Sequence, residues 1–205
     1  MARFNLNKGD RFKLSKDAGL NNLQVHLSWD GDHDLDSSTF LLGEEGVINN
    51  DADFVFYNSE NRQEPYDKAK HGAKRNYIAT VRPMSADGSV LGSIDEVDGG
   101  GDGETIDICL DKVDAKIQEI VFVATVHGNE TFGDVKDAAI TLTNTDTGEE
   151  LCRYALNEAF AAEDAAEIAK LFLNDEGEWE FEAVGVGCKR SLICLLNKVY
   201  THDRR

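Results

Sequence analysis

IQEIVFVATV, residues 117–126, is the longest apolar run in the chain. It is rich in β-branched residues and ends at His127-Gly128-Asn129, a turn signal, so it reads as a central β-strand. Short runs of the same kind flank it on both sides. Upstream lie LQVHLSW (23–29), STFLL (38–42), DFVFY (53–57), NYIATV (76–81), SVLGSI (89–94) and TIDICL (105–110). Downstream lie AAITLTN (138–144), ELCRYAL (150–156) and EWEFEAV (178–184). Gly, Asp and Asn separate them. Strand-length runs at regular spacing with turn residues between them predict a β-sandwich.

Helical signals are fewer. AFAAEDAAEIAKLFL (159–173) carries good helix formers with apolar residues three and four apart, and CKRSLICLLNKVY (188–200) predicts a terminal helix. The fold class is therefore mainly β, with one or two short helices towards the C-terminus. The length of 205 residues fits one domain. Residues 58–88 interrupt the strand pattern. They contain Pro65 and a local basic excess (Arg62, Lys68, Lys70, Lys74, Arg75, Arg82), and read as an exposed insertion loop.

The formal net charge is −18. Phosphate recognition needs basic surfaces, so the balance argues against nucleic acid and anionic membranes as direct partners. No apolar stretch reaches transmembrane length and the N-terminus lacks a signal-like core, which predicts a soluble, cytoplasmic protein without direct membrane insertion. The four cysteines, Cys109, Cys152, Cys188 and Cys194, have no CxxC spacing. The apolar surroundings of Cys109, Cys152 and Cys194 suit reduced core residues.

Acidic residues gather where strands end. In WDGDHDLDSS (29–38) the aspartates Asp30, Asp32, Asp34 and Asp36 alternate. Carboxylates two apart on an extended chain share a face at about 7 Å, a repulsion of roughly 0.6 kcal/mol per pair in water. A second pair, Asp51 and Asp53, precedes FVFYN. A third group, DEVDGGGDGE (95–104), joins Asp95, Asp102 and Glu104 to three consecutive glycines. Either these edges are solvated, or a cation offsets the repulsion. Ca²⁺ takes six to eight oxygen ligands, which three acidic loops at one sandwich edge can supply; Mg²⁺ rarely uses an all-protein cage. EF-hands are excluded, because the Asp30 frame lacks the sixth-position Gly and twelfth-position Glu and no helices flank it.

The order of these phrases carries a resemblance. WDGDHDLDSSTFLL, then DFVFYN, then DGSV, the acidic glycine loop and TIDICLDKV, followed by IQEIVFVATV, TFGDVKDAAITLTN, ELCRYAL and EGEWEFEAVGVG, resembles the TerD family of tellurium-resistance and stress proteins over nearly the whole chain. The resemblance implies a cytoplasmic bacterial β-sandwich that binds one or two Ca²⁺ ions through its acidic loops. It also implies assembly with a TerC-like membrane protein and other Ter proteins. Its implied ligands are Asp34, Asp36 and Ser37 in the DLD-x-S phrase, Asp53 and Asn58 around VFYN, Asp95, Asp102 and Glu104 in and after the glycine loop, and Asp30 beside Trp29. The chain departs from the family in its longer VFYN–DGSV connection, and in reading Ile94-Asp95-Glu96 where the family has GDN.

Other functions are weighed on the same residues. No GxSxG or P-loop occurs, and none of the five histidines has an evident nucleophile, so no enzyme is expected. A calcium-dependent lipid- or carbohydrate-binding module is the alternative, and exposed aromatics beside the loops would favour it. Only Trp29 is close, and it suits packing beneath the loop. The scaffold reading predicts calcium-dependent self-association, as a homo-oligomer, or binding to the membrane partner.

Overall fold

The computed structural model describes residues 4–14, 20–94, 103–157 and 159–188. Twelve strands are present in this part of the chain: β1 (Phe4–Leu6), β2 (Arg11–Lys13), β3 (Asn22–Asp30), β4 (Leu35–Leu42), β5 (Phe54–Val55), β6 (Val90–Gly92), β7 (Glu104–Cys109), β8 (Glu119–Val126), β9 (Lys136–Asn144), β10 (Glu149–Ala155), β11 (Ala165–Leu173) and β12 (Trp179–Cys188). Two short helices, α1 (Lys68–His71) and α2 (Lys74–Ile78), lie between β5 and β6. The strands form two six-stranded sheets, in the orders β1-β10-β9-β3-β7-β6 and β2-β12-β11-β8-β4-β5.

The run 117–126 supplies β8, which lies inside the second sheet between β4 and β11. Both of its faces are buried. Ile120, Phe122 and Ala124 enter the core shared with the first sheet, where they meet Leu23, Val25, Leu27, Ile106, Ile108 and Ile140. Val121 and Val123 join Phe40, Leu42 and Ala165 in a second cluster on the opposite face. Burial on both sides explains why the run is continuous rather than alternating. Strand β3 has the other pattern: Leu23, Val25 and Leu27 are buried while Gln24, His26 and Ser28 are half-buried on the other face.

The first two strands, each of three residues and too short to be legible as runs, lie at sheet edges. β1 pairs parallel with β10, and β2 pairs antiparallel with β12. A turn in which Asn7 N–H donates to Asp10 Oδ2 at 2.7 Å joins them. The N-terminal segment therefore crosses from one sheet to the other.

Three expectations are corrected. The segment 159–173 is not a helix, because residues 165–173 form β11. Its register against both neighbours shifts between Glu167 and Ala169. That bulge inserts one residue into the two-residue alternation, so the buried Ala166, Ile168, Ala169 and Leu171 imitate helical spacing. NYIATV is not a strand: residues 74–78 form α2, closed by Ala79 N–H to Arg75 O at 3.0 Å. The helices of the described residues thus lie in the 58–88 insertion and not towards the C-terminus. The expected 188–200 helix lies outside the described residues except for Cys188, which ends β12. Within DFVFY, only Phe54 and Val55 pair as a strand, and Asp51–Asp53 form a 3-10 turn capped by the Asn50 side chain.

The 58–88 insertion is only partly an exposed loop. Arg62, Tyr77, Val81 and Ser85 are buried. Its return limb is tied to the first sheet by Arg82, whose Nη1 lies 2.6 Å from Asp107 Oδ2 on β7. Among the cysteines, Cys152 is buried and burial pushes its thiol up to about 12, while Cys109 and Cys188 are half-buried. Cys194 lies outside the described residues. None of the three described cysteines is in a disulfide.

Candidate metal site

The aspartate row spans both sheets. Asp30 ends β3 in the first sheet, Gly31 turns the chain at φ +99°, and Asp36 lies in β4 of the second sheet. Asp30, Asp32 and Asp34 are exposed and Asp36 is half-buried. The crossing is held from beneath. Trp29 Nε1 donates to the His33 carbonyl at 2.8 Å, with the indole packed against the core. His127 N–H donates to the Asp34 carbonyl at 2.8 Å. His33 Nδ1 lies 2.7 Å from Glu130 Oε2, and Lys136 Nζ lies 3.7 Å from Asp30 Oδ2.

Glu104 arrives at the same end from the glycine loop. It starts β7, paired opposite Leu27 of β3, and is 7% exposed. Its Oε2 accepts the Ser37 N–H at 2.5 Å. The preceding Gly103 sits at φ +87°, and a Cβ there would lie 2.2 Å from the Leu27 carbonyl oxygen. Only glycine permits that approach. The last residues of the glycine loop and the first residues of β4 therefore meet where both sheets end, close to Asp36. Asp95 and Asp102 lie outside the described residues.

Asp53 belongs elsewhere. Phe54 pairs with Phe40 and Val55 with Thr39, so Asp53 stands level with Leu41. Asp36 is five residues back along β4, about 17 Å away at the strand rise. Ligand distances of about 2.3–2.6 Å forbid one ion from binding both. Asp53 faces a different group, around a cavity of about 290 Å³ lined by Asn49, Asn50, Asp87, Asp114 and Lys116. Burial, then the nearby Asp87 charge, hold its carboxyl above the usual range. Asp87 shows the opposite balance: burial pushes it up, but hydrogen bonds from Ser85, Ser89 and the Asp114 N–H outweigh that and leave it lowered. Its Oδ1 accepts Ser85 Oγ, Ser89 Oγ and Ser89 N–H at 2.6, 2.7 and 2.9 Å, and its Oδ2 accepts Asp114 N–H at 2.9 Å. This knot was missed in the sequence, although Ser85-x-Asp87-Gly88-Ser89 has the turn chemistry that announces it. Asn58 is exposed in the Phe56–Ser59 turn, at the mouth of the insertion.

The sandwich, its acidic crossing and the full sequence agree with one family. The TerD domain family matches residues 1–199. The chain belongs to the TerD family. Among curated TerD-family relatives it is 37% identical over 195 residues to the tellurium resistance protein TerD of an Alcaligenes species, covering 89% of each chain. It is 35% identical over 201 residues to general stress protein 16U of Bacillus subtilis (strain 168), covering 91% of this chain and 92% of that one. A crystal structure of a homologue of telluride resistance protein (TerD) from Streptomyces coelicolor A3(2) superposes with a TM-score of 0.63 at 20% identity. That match covers 86% of this chain and 95% of the other, and shows the shared fold.

For a metal ion, the described residues supply hard oxygen donors: the carboxylates of Asp30, Asp34, Asp36 and Glu104. Among the described residues no three His, Cys, Asp or Glu side chains converge closely enough to hold a metal ion. Carboxylate oxygens are the hard donors that calcium takes, and the described ones do not by themselves form a ligand set.

Proposed function

We propose that this TerD-family chain is a calcium-binding stress protein that acts as a binding or scaffold module rather than as a catalyst. The observation that carries the reading is the Glu104–Ser37 hydrogen bond. It places a buried carboxylate from the glycine loop at the start of β4, beside Asp36. The end of the glycine loop and the start of β4, two segments that carry acidic residues, are thereby tied together before any ion arrives. Asp34, Asp36 and Glu104 would contribute to a Ca²⁺ site completed by Asp95 and Asp102, and the ion would offset the repulsion along the aspartate row. The names of the relatives, tellurium resistance protein and general stress protein, support a role in chemical stress. Family membership favours a TerC-like membrane partner and action with other Ter proteins. No helix among the described residues is long and apolar enough to cross a membrane, which suits a peripheral role beside such a partner.

The test is a thermal melt of chelator-treated protein with Ca²⁺ or Mg²⁺ added back, followed by calorimetric titration. Binding to the native state alone at a hundredfold excess over Kd stabilises by about 2.7 kcal/mol, or roughly 5–10 °C at this chain length. A Ca²⁺-selective shift that disappears in the Asp34→Asn, Asp36→Asn double variant supports the proposal. No shift with either ion overturns it.

A further inference from the structure

The insertion between β5 and β6 is built as a rigid unit. Arg62 is 4% exposed, and its guanidinium donates to four backbone carbonyls: Tyr57, Ser59 at 3.0 Å, Ile78 at 3.2 Å and Val81 at 2.5 Å. It also lies 5.8 Å from the centre of the Tyr77 ring. Tyr66, His71 and Tyr77 pack ring against ring at 4.9–6.1 Å. Tyr77 Oη donates to the Glu64 carbonyl at 2.5 Å and Tyr66 Oη to the Gly72 carbonyl at 2.7 Å. Asp67 caps α1 through the Ala69 N–H at 2.8 Å.

The outer side of this unit is basic. Lys68, Lys70, Lys74 and Arg75 are exposed, and neither α1 nor α2 contains an acid. Lys70 is paired with Glu64, and Lys74 lies 3.5 Å from Glu60. Lys68 and Arg75 have no carboxylate partner among the described residues. Tyr66, 41% exposed, belongs to the same unit through its packing on His71 and Tyr77. A chain with net charge −18 thus concentrates cations on one small, ordered protrusion. The complementary surface is on the same molecule. The turn joining β11 to β12 projects Asp175, Glu176 and Glu178, shaped by Asn174 Oδ1, which accepts the Glu176 and Glu178 N–H groups at 3.0 and 2.9 Å. Lys13 alone answers these carboxylates among the described residues, at 3.4 Å from Glu176 and 4.0 Å from Glu178.

We propose that the insertion docks onto the β11–β12 turn of a second copy of this chain. The two surfaces differ, so the contact is head-to-tail and each added copy leaves one basic protrusion and one acidic turn open for the next. Exposed ion pairs are individually weak and are screened by salt, so assembly grows with protein concentration and dissolves at high ionic strength. This contact is independent of calcium and is measured with chelator present.

Sedimentation velocity of the full chain tests it, at about 20 mM and about 500 mM salt, where screening lengths differ severalfold. The expected result is a mass that rises with concentration beyond a dimer at low salt and returns to that of one chain at high salt. The Lys68→Glu, Arg75→Glu variant and the Glu176→Lys, Glu178→Lys variant should each weaken association at least tenfold. Mixed together, they should assemble again beyond a dimer, because the intact insertion of one meets the intact turn of the other and the two reversed surfaces are also of opposite charge. The neutral Lys68→Gln, Arg75→Gln variant, with an unchanged melting midpoint, repeats the loss without new charge. A wild-type chain that stays single at low salt at every concentration overturns the proposal. So does association unchanged by either charge reversal. Binding of the wild type to anionic vesicles or to duplex DNA, lost in the Lys68→Glu, Arg75→Glu variant and unaccompanied by self-association, also overturns it.

Discussion

Glu104 Oε2 accepts the Ser37 N–H at 2.5 Å, so a side chain opening β7 in one sheet fastens the strand opening β4 in the other. Replacing Glu104 by Ala leaves the Ser37 N–H without that acceptor, which costs about 1–3 kcal/mol. The melting midpoint in chelator should fall by roughly 3–10 °C. Glu104→Gln keeps an acceptor and should recover most of that loss, yet bind Ca²⁺ more weakly because a charge is gone. Equal stability losses in the two variants would show that the hydrogen bond is not the tie.

Gly103→Ala adds a Cβ 2.2 Å from the Leu27 carbonyl oxygen at a positive φ. Strain of this kind costs on the order of 1–3 kcal/mol. Urea titration should show a lower midpoint with the slope unchanged.

Asp53→Asn tests the far end of the sandwich. Burial and then the Asp87 charge raise the Asp53 carboxyl in the folded state. The folded protein therefore holds this proton more tightly than the unfolded chain, and the stability associated with it is present at low pH and lost as pH rises through the folded value. At pH 7.5 the charged Asp53 opposes folding, and the variant should melt above the wild type. The advantage should shrink as pH falls through the Asp53 titration. A variant that melts lower at pH 7.5 would mean that the carboxylate is held there by a favourable partner.

Arg62→Ala removes the donor shared by four carbonyls of the insertion. Hydrogen bonds from a charged group contribute about 1.5–3 kcal/mol each, so loss of even one or two raises local opening on the order of 100-fold. Limited proteolysis should then cut between residues 62 and 80 while far-ultraviolet circular dichroism of the sheets is retained. A cleavage rate equal to that of the wild type would show that the tyrosine packing suffices.

The architecture was legible where burial leaves a periodic trace. The unbroken run 117–126 became β8 because both of its faces are covered, and the alternation in 23–29 became β3. The bulge at Glu167–Ala169 erased the same trace in β11 and left a pattern that reads as helix. Residues 76–81 have strand-like composition, but close onto Arg75 and Tyr77 carbonyls, a choice local propensity does not decide. The acidic loops were visible as composition, yet their grouping was not. Separating Asp53 from Asp36 requires the pairing of Phe54 with Phe40, which only tertiary structure supplies. Arg62 looked like one more surface cation, since nothing in the sequence shows that four carbonyls converge on it.

The crossing of the N-terminal segment between the sheets has a consequence for how the protein is made. Phe4 pairs with Cys152, and Arg11 with Glu182, roughly 150 and 170 positions further on. A ribosome adding about 5–20 residues per second needs on the order of 10–30 s to deliver those partners. During that interval residues 4–13 have no place in either sheet. Chaperones and proteases meet this segment before its own fold does, and the synthesis of β10 and then β12 releases it from that exposure.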